Sequence, residues 1–122
     1  MAEEAVLDFV RGAVPSAWAL ELLLLMRRQR ERAWRPEALV GELRGSLELV
    51  SQSLAALSEA GLVAADERGQ YAYQPRTPEL AEMIDAVAEL HAQKPLAVLS
   101  AIFSAPSGRI RTFADAFLFR KK

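Results

Sequence analysis

The sequence predicts a mainly α-helical chain with one small β-hairpin, and two observations lead to this fold class. Apolar residues recur every three or four positions along most of the 122 residues, which is the period of an amphipathic helix. After Gly61 the period changes to two on either side of a glycine-containing loop, which is typical of a hairpin. Breaks at glycine and proline divide the chain into an N-terminal arm or short helix (1–13), a helical domain that includes the hairpin (14–76), and a C-terminal helical region with a basic tail (77–122).

The composition excludes several classes of protein. Cysteine is absent and only one histidine is present, which rules out thiolate nucleophiles, CxxC redox pairs and the usual zinc sites. The glycine-rich motifs that bind dinucleotides and nucleoside triphosphates are missing as well. Because 15 cations nearly balance 16 anions, any binding to nucleic acid must come from local patches. We therefore predict no enzyme, no cofactor and no metal site.

The chain is expected to stay in the cytoplasm. No apolar run approaches the roughly 20 residues that a membrane helix needs, and contact with a membrane is not expected. The N-terminus carries Glu3, Glu4 and Asp8, where a secretory signal would need positive charge. Most cations are arginines and alanine is frequent, which indicates a GC-rich bacterial genome.

Two helices are predicted before residue 33. The first is a short amphipathic helix ending at Gly12, with a loosely held arm as the alternative, and its apolar residues are Val6, Leu7, Phe9 and Val10. Ser16 is the predicted N-cap of the second, which covers residues 17 to about 32. Because its first half is apolar almost all round, we expect it to be the central helix of the core, with Trp18 buried. Its last turns carry four arginines that complement the helix dipole, namely Arg27, Arg28, Arg30 and Arg32.

Two further helices are predicted to be joined by a tight turn. Pro36 suits the start of a helix over 37–43, because a proline pushes the residue before it out of helical geometry. In the turn that follows, Gly45 is expected to take a positive φ and Ser46 to cap the next helix. That helix covers 47–60 and ends at Gly61. The inward residues of the two helices are Leu39, Val40 and Leu43 in the first and Leu47, Val50, Leu54 and Leu57 in the second.

The hairpin is predicted to join residues 62–65 and 71–74, with Gly69 in the left-handed position of its loop and Tyr71 and Tyr73 facing the core. Thr77 and Pro78 open the next helix. One face of that helix carries Leu80, Ile84, Val87 and His91. Pro95 either kinks the helix or starts a new one that runs to about residue 104. After a break at 105–108, a capping box predicts a last short helix, with its residues Thr112, Phe113, Asp115, Ala116 and Phe117.

The order of these elements resembles the winged helix-turn-helix of bacterial transcriptional regulators of the MarR and PadR kind. The residues that carry the resemblance are Leu39-x3-Leu43, Val50-x3-Leu54-x2-Leu57 and the Gly61-Leu62-Val63 step into the hairpin. It covers about residues 16–75. It implies that the third helix of the winged domain (about 46–60), which is the fourth predicted in the chain, enters the major groove of double-stranded DNA. The resemblance also implies that the hairpin, called the wing (about 62–74), reaches the DNA backbone. It also implies that a helix after the wing pairs two subunits, and that Trp34 adds a short strand to the wing sheet.

By position, the resemblance assigns DNA contacts to residues at the start of the third helix, on its exposed face beside Ala55 and Ala56, and at the wing tip. These residues are Arg44, Ser46, Glu48, Ser51, Gln52 and Arg68. Gln52 either reads a base or is a solvated polar residue. Arg68 either contacts the DNA backbone or pairs with its neighbours Asp66 and Glu67.

The charge of this region departs from that of a DNA-binding surface. Between residues 37 and 67 there are six acids and a single cation, Arg44, although lysine and arginine normally supply the phosphate contacts. Basic residues cluster in two other places. They are Arg27, Arg28, Arg30, Arg32 and Arg35 near the end of the central helix, and Arg109, Arg111, Arg120, Lys121 and Lys122 in the tail. Either cluster would have to flank the third helix in a dimer to bind phosphates, and the first is otherwise a solvated helix end.

Two functions therefore remain as alternatives. The first is a homodimeric DNA-binding transcriptional regulator that pairs through residues 78–120, because this region is too apolar for the winged domain to cover alone. The second is a winged-helix module that binds a basic protein partner and no DNA. The apolar and basic tail docks on the partner subunit, binds DNA phosphates or lies on an anionic membrane. Structural or solvated roles, rather than ligand binding, are expected for His91 and for the acidic row Glu79, Glu82, Asp85 and Glu89.

Overall fold

The computed structural model describes residues 2–104, and this part of the chain is mainly helical with one two-stranded antiparallel sheet, as predicted. The elements are α1 (Glu3–Ala13), α2 (Ala17–Arg28), α3 (Pro36–Leu43), α4 (Leu47–Glu59), β1 (Val63–Ala65), β2 (Tyr71–Tyr73), α5 (Pro78–Gln93) and α6 (Pro95–Ser104). The predicted last helix, with Thr112 and Asp115, lies outside the described residues. None of the helices within residues 2–104 is by itself long and apolar enough to cross a membrane.

The N-terminal segment forms a helix, which decides between the two alternatives. Three of the four predicted apolar residues of α1 are buried, Phe9 is half-buried, and the helix packs against α5 and α6. The buried residues of α1 are Val6, Leu7 and Val10. At the other end of this contact, Lys94 Nζ lies 3.1 Å from Glu3 Oε1. The first helix of the chain is therefore held by the last two described.

The helix α2 is the central helix of the core, as expected, but it is shorter than predicted. Seven of its twelve residues are buried, and Ser16 Oγ accepts a hydrogen bond from the backbone N–H of Ala19 at 3.0 Å. The prediction that it reaches about residue 32 is wrong, because the helix ends at Arg28. Residues 29–31 then form a turn, in which the N–H of Arg32 donates to the carbonyl of Gln29 at 3.0 Å. Beyond this turn the backbone N–H and C=O of Trp34 both pair with Tyr71 at 2.7 Å.

The turn between α3 and α4 differs from the prediction. Arg44, not Gly45, occupies the left-handed region, with φ 58°. Gly45 is needed for another reason, because a Cβ at this position would overlap the indole ring of Trp18. Trp18 is accordingly half-buried against the turn, so the expectation that it is buried in the core is wrong.

The helix α4 follows the predicted pattern except at its first residue. Ser46 caps it, its Oγ accepting from the N–H of Leu49 at 3.1 Å, while Val50, Leu54 and Leu57 are buried in the core. The expectation that Leu47 faces inward is wrong, since its side chain is 47% exposed. Helical side chains tilt toward the N-terminus, so a residue in the first turn points past the end of the packed face.

The end of α4 leads directly into the hairpin. Gly61 has φ 83°, the N–H of Leu62 donates to the carbonyl of Leu57 and that of Gly61 to Ser58, which is a Schellman C-cap. In the sheet Val63 pairs with Tyr73 and Ala65 with Tyr71, and both tyrosines are half-buried against the core, as predicted. Trp34 adds an isolated bridge to Tyr71, so three segments lie side by side at this end of the molecule.

The helices α5 and α6 are separate, so Pro95 starts a new helix rather than kinking one. Lys94 between them has φ −137°, outside helical geometry. Thr77 Oγ1 caps α5 by accepting from the N–H of Leu80 at 3.1 Å. Ile84, Val87 and Leu90 are buried, whereas His91 is only half-buried, so Leu90 and not His91 completes the inward face of the last turn.

Candidate nucleic-acid interface

The outer face of α4 carries the polar residues assigned to base contacts. Glu48, Ser51 and Gln52 are exposed, as is Ala55, whereas Ala56 is half-buried and does not belong to the free surface. Gln52 Nε2 donates to Glu48 Oε2 at 3.4 Å. The long distance makes this a weak bond, so the carboxamide keeps one N–H and its oxygen for another partner.

Arg44 and Ser46 precede this face on the chain. The Ser46 oxygen accepts the N–H of Leu49, and only its hydroxyl hydrogen remains to donate. Arg44 is exposed and lies directly before α4, held by its left-handed backbone. These two residues therefore sit at the N-terminus of α4, where the helix dipole attracts anions.

The hairpin tip is organised by Asp66. Its Oδ1 accepts the backbone N–H groups of Gln70 at 2.9 Å and Arg68 at 2.8 Å, and these hydrogen bonds lower the pKa of the Asp66 carboxyl. The guanidinium of Arg68 is exposed and takes part in none of the ion pairs found within residues 2–104. The alternative in which Arg68 pairs with Asp66 or Glu67 is thus not the arrangement observed.

The cluster from Arg27 to Arg35, called here the basic turn, is attached to the sheet. Arg27 Nε donates to Asp85 Oδ1 at 2.9 Å, which ties α2 to α5. The guanidinium of Arg32 lies 3.7 Å above the centre of the Trp34 ring, and that of Arg30 lies 5.5 Å from the centre of Tyr73. Stacking on an aromatic ring leaves the in-plane N–H groups of a guanidinium able to donate to a phosphate.

The Tyr73 hydroxyl lies beneath this basic turn. Burial raises the pKa of Tyr73, and the neighbouring Asp85 raises it further, while Arg27 and Arg30 act in the opposite direction. The phenol is therefore neutral at physiological pH, and its ring packs beneath the guanidinium of Arg30.

Sequence reasoning did not find these side-chain contacts of the basic turn. For Arg32 and Trp34 a signal existed, because residues two apart in an extended chain point to the same side. For Arg27 and Asp85 there was none, since 58 positions separate them.

The electrostatics of the α3, α4 and hairpin surface have the wrong sign for DNA. Six acids are exposed there, namely Glu37, Glu42, Glu48, Glu59, Asp66 and Glu67. The cations on the same surface are Arg44 and Arg68, and α4 itself has none. Phosphate contacts would consequently have to come from the basic turn, where Arg28 and Arg35 are also exposed.

The predictions for the C-terminal region fall partly on residues that the structure describes and partly outside them. The tail cations Arg109, Arg111, Arg120, Lys121 and Lys122 lie outside the described residues. The homodimer through 78–120 was expected because this region is too apolar for the winged domain to cover. In the structure α1 and α6 of the same chain cover the apolar face of α5, so the premise no longer holds for α5, whereas Leu96 and Phe103 of α6 are exposed. Dimerisation stays a prediction. Among residues 2–104 no group of three or more acids or histidines is arranged to hold a metal ion, and the acidic row of α5 is exposed.

Comparison of the chain with protein-family models, with curated proteins and with solved structures returned no match.

Proposed function

We propose that residues 16–75 form a winged helix-turn-helix domain and that the protein is a DNA-binding transcriptional regulator of the cytoplasm. The observation that carries this proposal is the bridge between Trp34 and Tyr71. It adds the segment between α2 and α3 to the hairpin, so the chain order becomes helix, strand, helix, helix and two strands. This is the order of a winged helix, with α4 as the recognition helix.

In this proposal α4 enters the major groove and the hairpin lies on the backbone. Gln52 reads a base edge through its free amide atoms, since a carboxamide pairs bidentately with adenine. Glu48 accepts from a cytosine amine or stays a weak partner of Gln52. Arg44 and Arg68 contact phosphates on either side of α4.

The salt dependence expected for DNA binding follows from the number of exposed arginines that can contact phosphates. Five exposed arginines donate no side-chain hydrogen bond within residues 2–104, namely Arg28, Arg32, Arg35, Arg44 and Arg68, whereas the exposed Arg30 and Arg76 donate to backbone carbonyls. If all five contact phosphates, the slope of log K against log salt is about −4 to −5 per chain, and affinity falls roughly 500-fold between about 50 mM and about 200 mM salt. The six acids on the same surface weaken the binding without removing its dependence on salt.

The test is a fluorescence-anisotropy titration of the full chain with labelled DNA duplexes of random sequence, followed by duplexes enriched from that pool. Arg68→Ala should weaken binding to all sequences equally and make the salt slope shallower by about one. Arg11→Ala is the matched control, because Arg11 lies on α1 and pairs with Asp8. Gln52→Ala should reduce only the preference for enriched sequences. Binding that is undetectable at low salt, or that does not weaken as salt rises, refutes the proposal.

The second candidate is a protein-binding winged helix, and the acidic surface favours it. A basic partner would meet Glu48 and Glu59 without the repulsion that DNA phosphates meet. The charge reversal Glu48→Lys separates the two functions, with Glu82→Lys on α5 as its control. DNA binding by α4 predicts a tighter complex and a steeper salt slope for Glu48→Lys. A protein-binding module predicts that a protein recovered by the native chain is lost with Glu48→Lys and kept with Glu82→Lys. Recovery of nucleic acid alone contradicts this candidate.

A further inference from the structure

The helix α6 has an apolar outer face that the rest of residues 2–104 leaves uncovered. The helix contains no charged residue at all, and its inner face is buried against α1 and α5. On the opposite side Leu96 is 76% exposed and Phe103 is 75% exposed, with the half-buried Leu99 between them. A helix at a protein surface normally has a charged outer face, so this stripe has the character of a contact surface.

The sequence that follows α6 matches this stripe in spacing. Residues 105–122 continue directly from α6, and their apolar positions Ile110, Phe113 and Phe117 repeat the intervals of three and four that separate Leu96, Leu99 and Phe103. Pro106 and Gly108, in the four residues 105–108, are typical of a reversal of the chain. Connections of this length commonly join neighbouring antiparallel helices.

The charges are complementary too. Residues 105–122 carry five cations and one acid, whereas residues 1–104 carry ten cations and fifteen acids. The exposed acids of α1, which packs beside α6, are Glu3, Glu4 and Asp8, and Glu89 is exposed on α5. Glu3 and Asp8 already pair with Lys94 and Arg11, so Glu4 and Glu89 are the acids that would attract the cations of a segment lying along α6.

We propose that residues 109–119 of the same chain cover the stripe formed by Leu96, Leu99 and Phe103, returning antiparallel along α6. Phe117 then meets Leu96, and Ile110 meets Phe103. The stripe is too small for a stable pair of subunits, because ten helical residues are only about 15 Å long and a typical interface buries about 800 Å² per partner. A tethered segment needs far less area, since the tether keeps it at an effective concentration of the order of millimolar.

Disulfide trapping tests the proposal in the full chain, because the native sequence has no cysteine to interfere. The variant pairs Leu96→Cys with Phe117→Cys, and Leu96 is exposed, so its replacement leaves the core intact. The control pairs Glu67→Cys at the hairpin tip with Phe117→Cys. In dilute protein under mild oxidation, we expect the first pair to form an intrachain disulfide at least about tenfold faster than the control, because docking holds position 117 beside position 96 and not beside position 67. Equal rates overturn the proposal, and so do cross-linked dimers of single Leu96→Cys, which would show that a second copy covers the stripe.

Hydrogen exchange gives a second readout. In the full chain with Phe113→Ser and Phe117→Ser, the amides of α6 should exchange several-fold faster, while those of α4 keep their native rates. Unchanged exchange of α6 contradicts the proposal. Neither measurement involves DNA, so both test this inference independently of the proposed function.

Discussion

Replacement of Gly45 by alanine should destabilise the protein, although Gly45 does not occupy the left-handed region. A Cβ at this position would lie 2.9 Å from Cζ2 and 3.0 Å from Cζ3 of Trp18, where carbon atoms prefer about 3.5–4.0 Å. Either the indole or the turn between α3 and α4 must shift. Overpacking of this kind typically costs about 1–3 kcal/mol, and we expect the free energy of unfolding to fall by that amount.

The matched control is Gly41→Ala, four positions earlier. Gly41 lies inside α3 and a Cβ there would meet nothing within 4 Å, so alanine should stabilise the helix by about 0.5–1 kcal/mol. Urea unfolding followed by far-UV circular dichroism measures both variants. A double-mutant cycle with Trp18→Leu should show that Gly45→Ala costs less once the indole is gone. A Gly45→Ala variant within about 0.5 kcal/mol of the native chain, or an additive cycle, refutes the reasoning.

Three further predictions concern single contacts. Ser46→Ala removes the cap of α4 and should lower the free energy of unfolding by about 1 kcal/mol, whereas the exposed Ser51→Ala should change it little; equal effects would contradict the cap. Because the pKa of Asp66 is lowered from 3.8, its carboxylate stabilises the fold above that pH and loses this effect as the pH falls through the lower folded value. The difference in stability between the native chain and Asp66→Asn, from urea titrations at several pH values, should therefore shrink in acid, and a difference that does not vary with pH would argue against it. For Arg27 and Asp85, whose side chains are 24% and 55% exposed, a double-mutant cycle with alanine should give a coupling below about 1 kcal/mol that decreases with salt, and a larger coupling that resists salt would show that the pair is effectively buried.

The features that were predictable from the sequence depend on neighbours along the chain. The caps at Ser16, Ser46 and Thr77 each join a side-chain oxygen to a backbone N–H three residues later, so a short stretch of sequence contains the whole interaction. The hairpin register and the Gly69 loop are local in the same way.

The features that were missed depend on residues far apart. The sequence near Gly45 favours a glycine in the left-handed position, and only the indole of Trp18 explains why the glycine is used for close approach while Arg44 takes the turn. The end of α2 at Arg28 was missed as well, because a turn at residues 29–31 separates the helix from Trp34, which pairs with Tyr71 on the hairpin.

For the candidate interface, the exposed face that the resemblance assigned by position is confirmed at Glu48, Ser51 and Gln52 and is wrong at Ala56, which is half-buried. The sequence could not predict which arginines of the basic turn already form an ion pair, because Arg27 pairs with Asp85 on another helix. The coverage of α5 was missed for the same reason, since one of the two helices that bury it, α1, is 65 or more positions away along the chain.

The contact between α1 and the α5 and α6 pair has a consequence for the order in which the molecule is completed. Glu3 and Lys94 are 91 positions apart, so α1 leaves the ribosome well before its packing partners α5 and α6 are made. The helices and strands between them can assemble while the nascent chain is still growing, but the apolar side of α1 stays in water until α6 has been released. Long-range closure of this kind is slow compared with local helix formation. Until then the apolar side of α1 is open to a cellular chaperone, because the helices that bury it follow it by 65 or more positions.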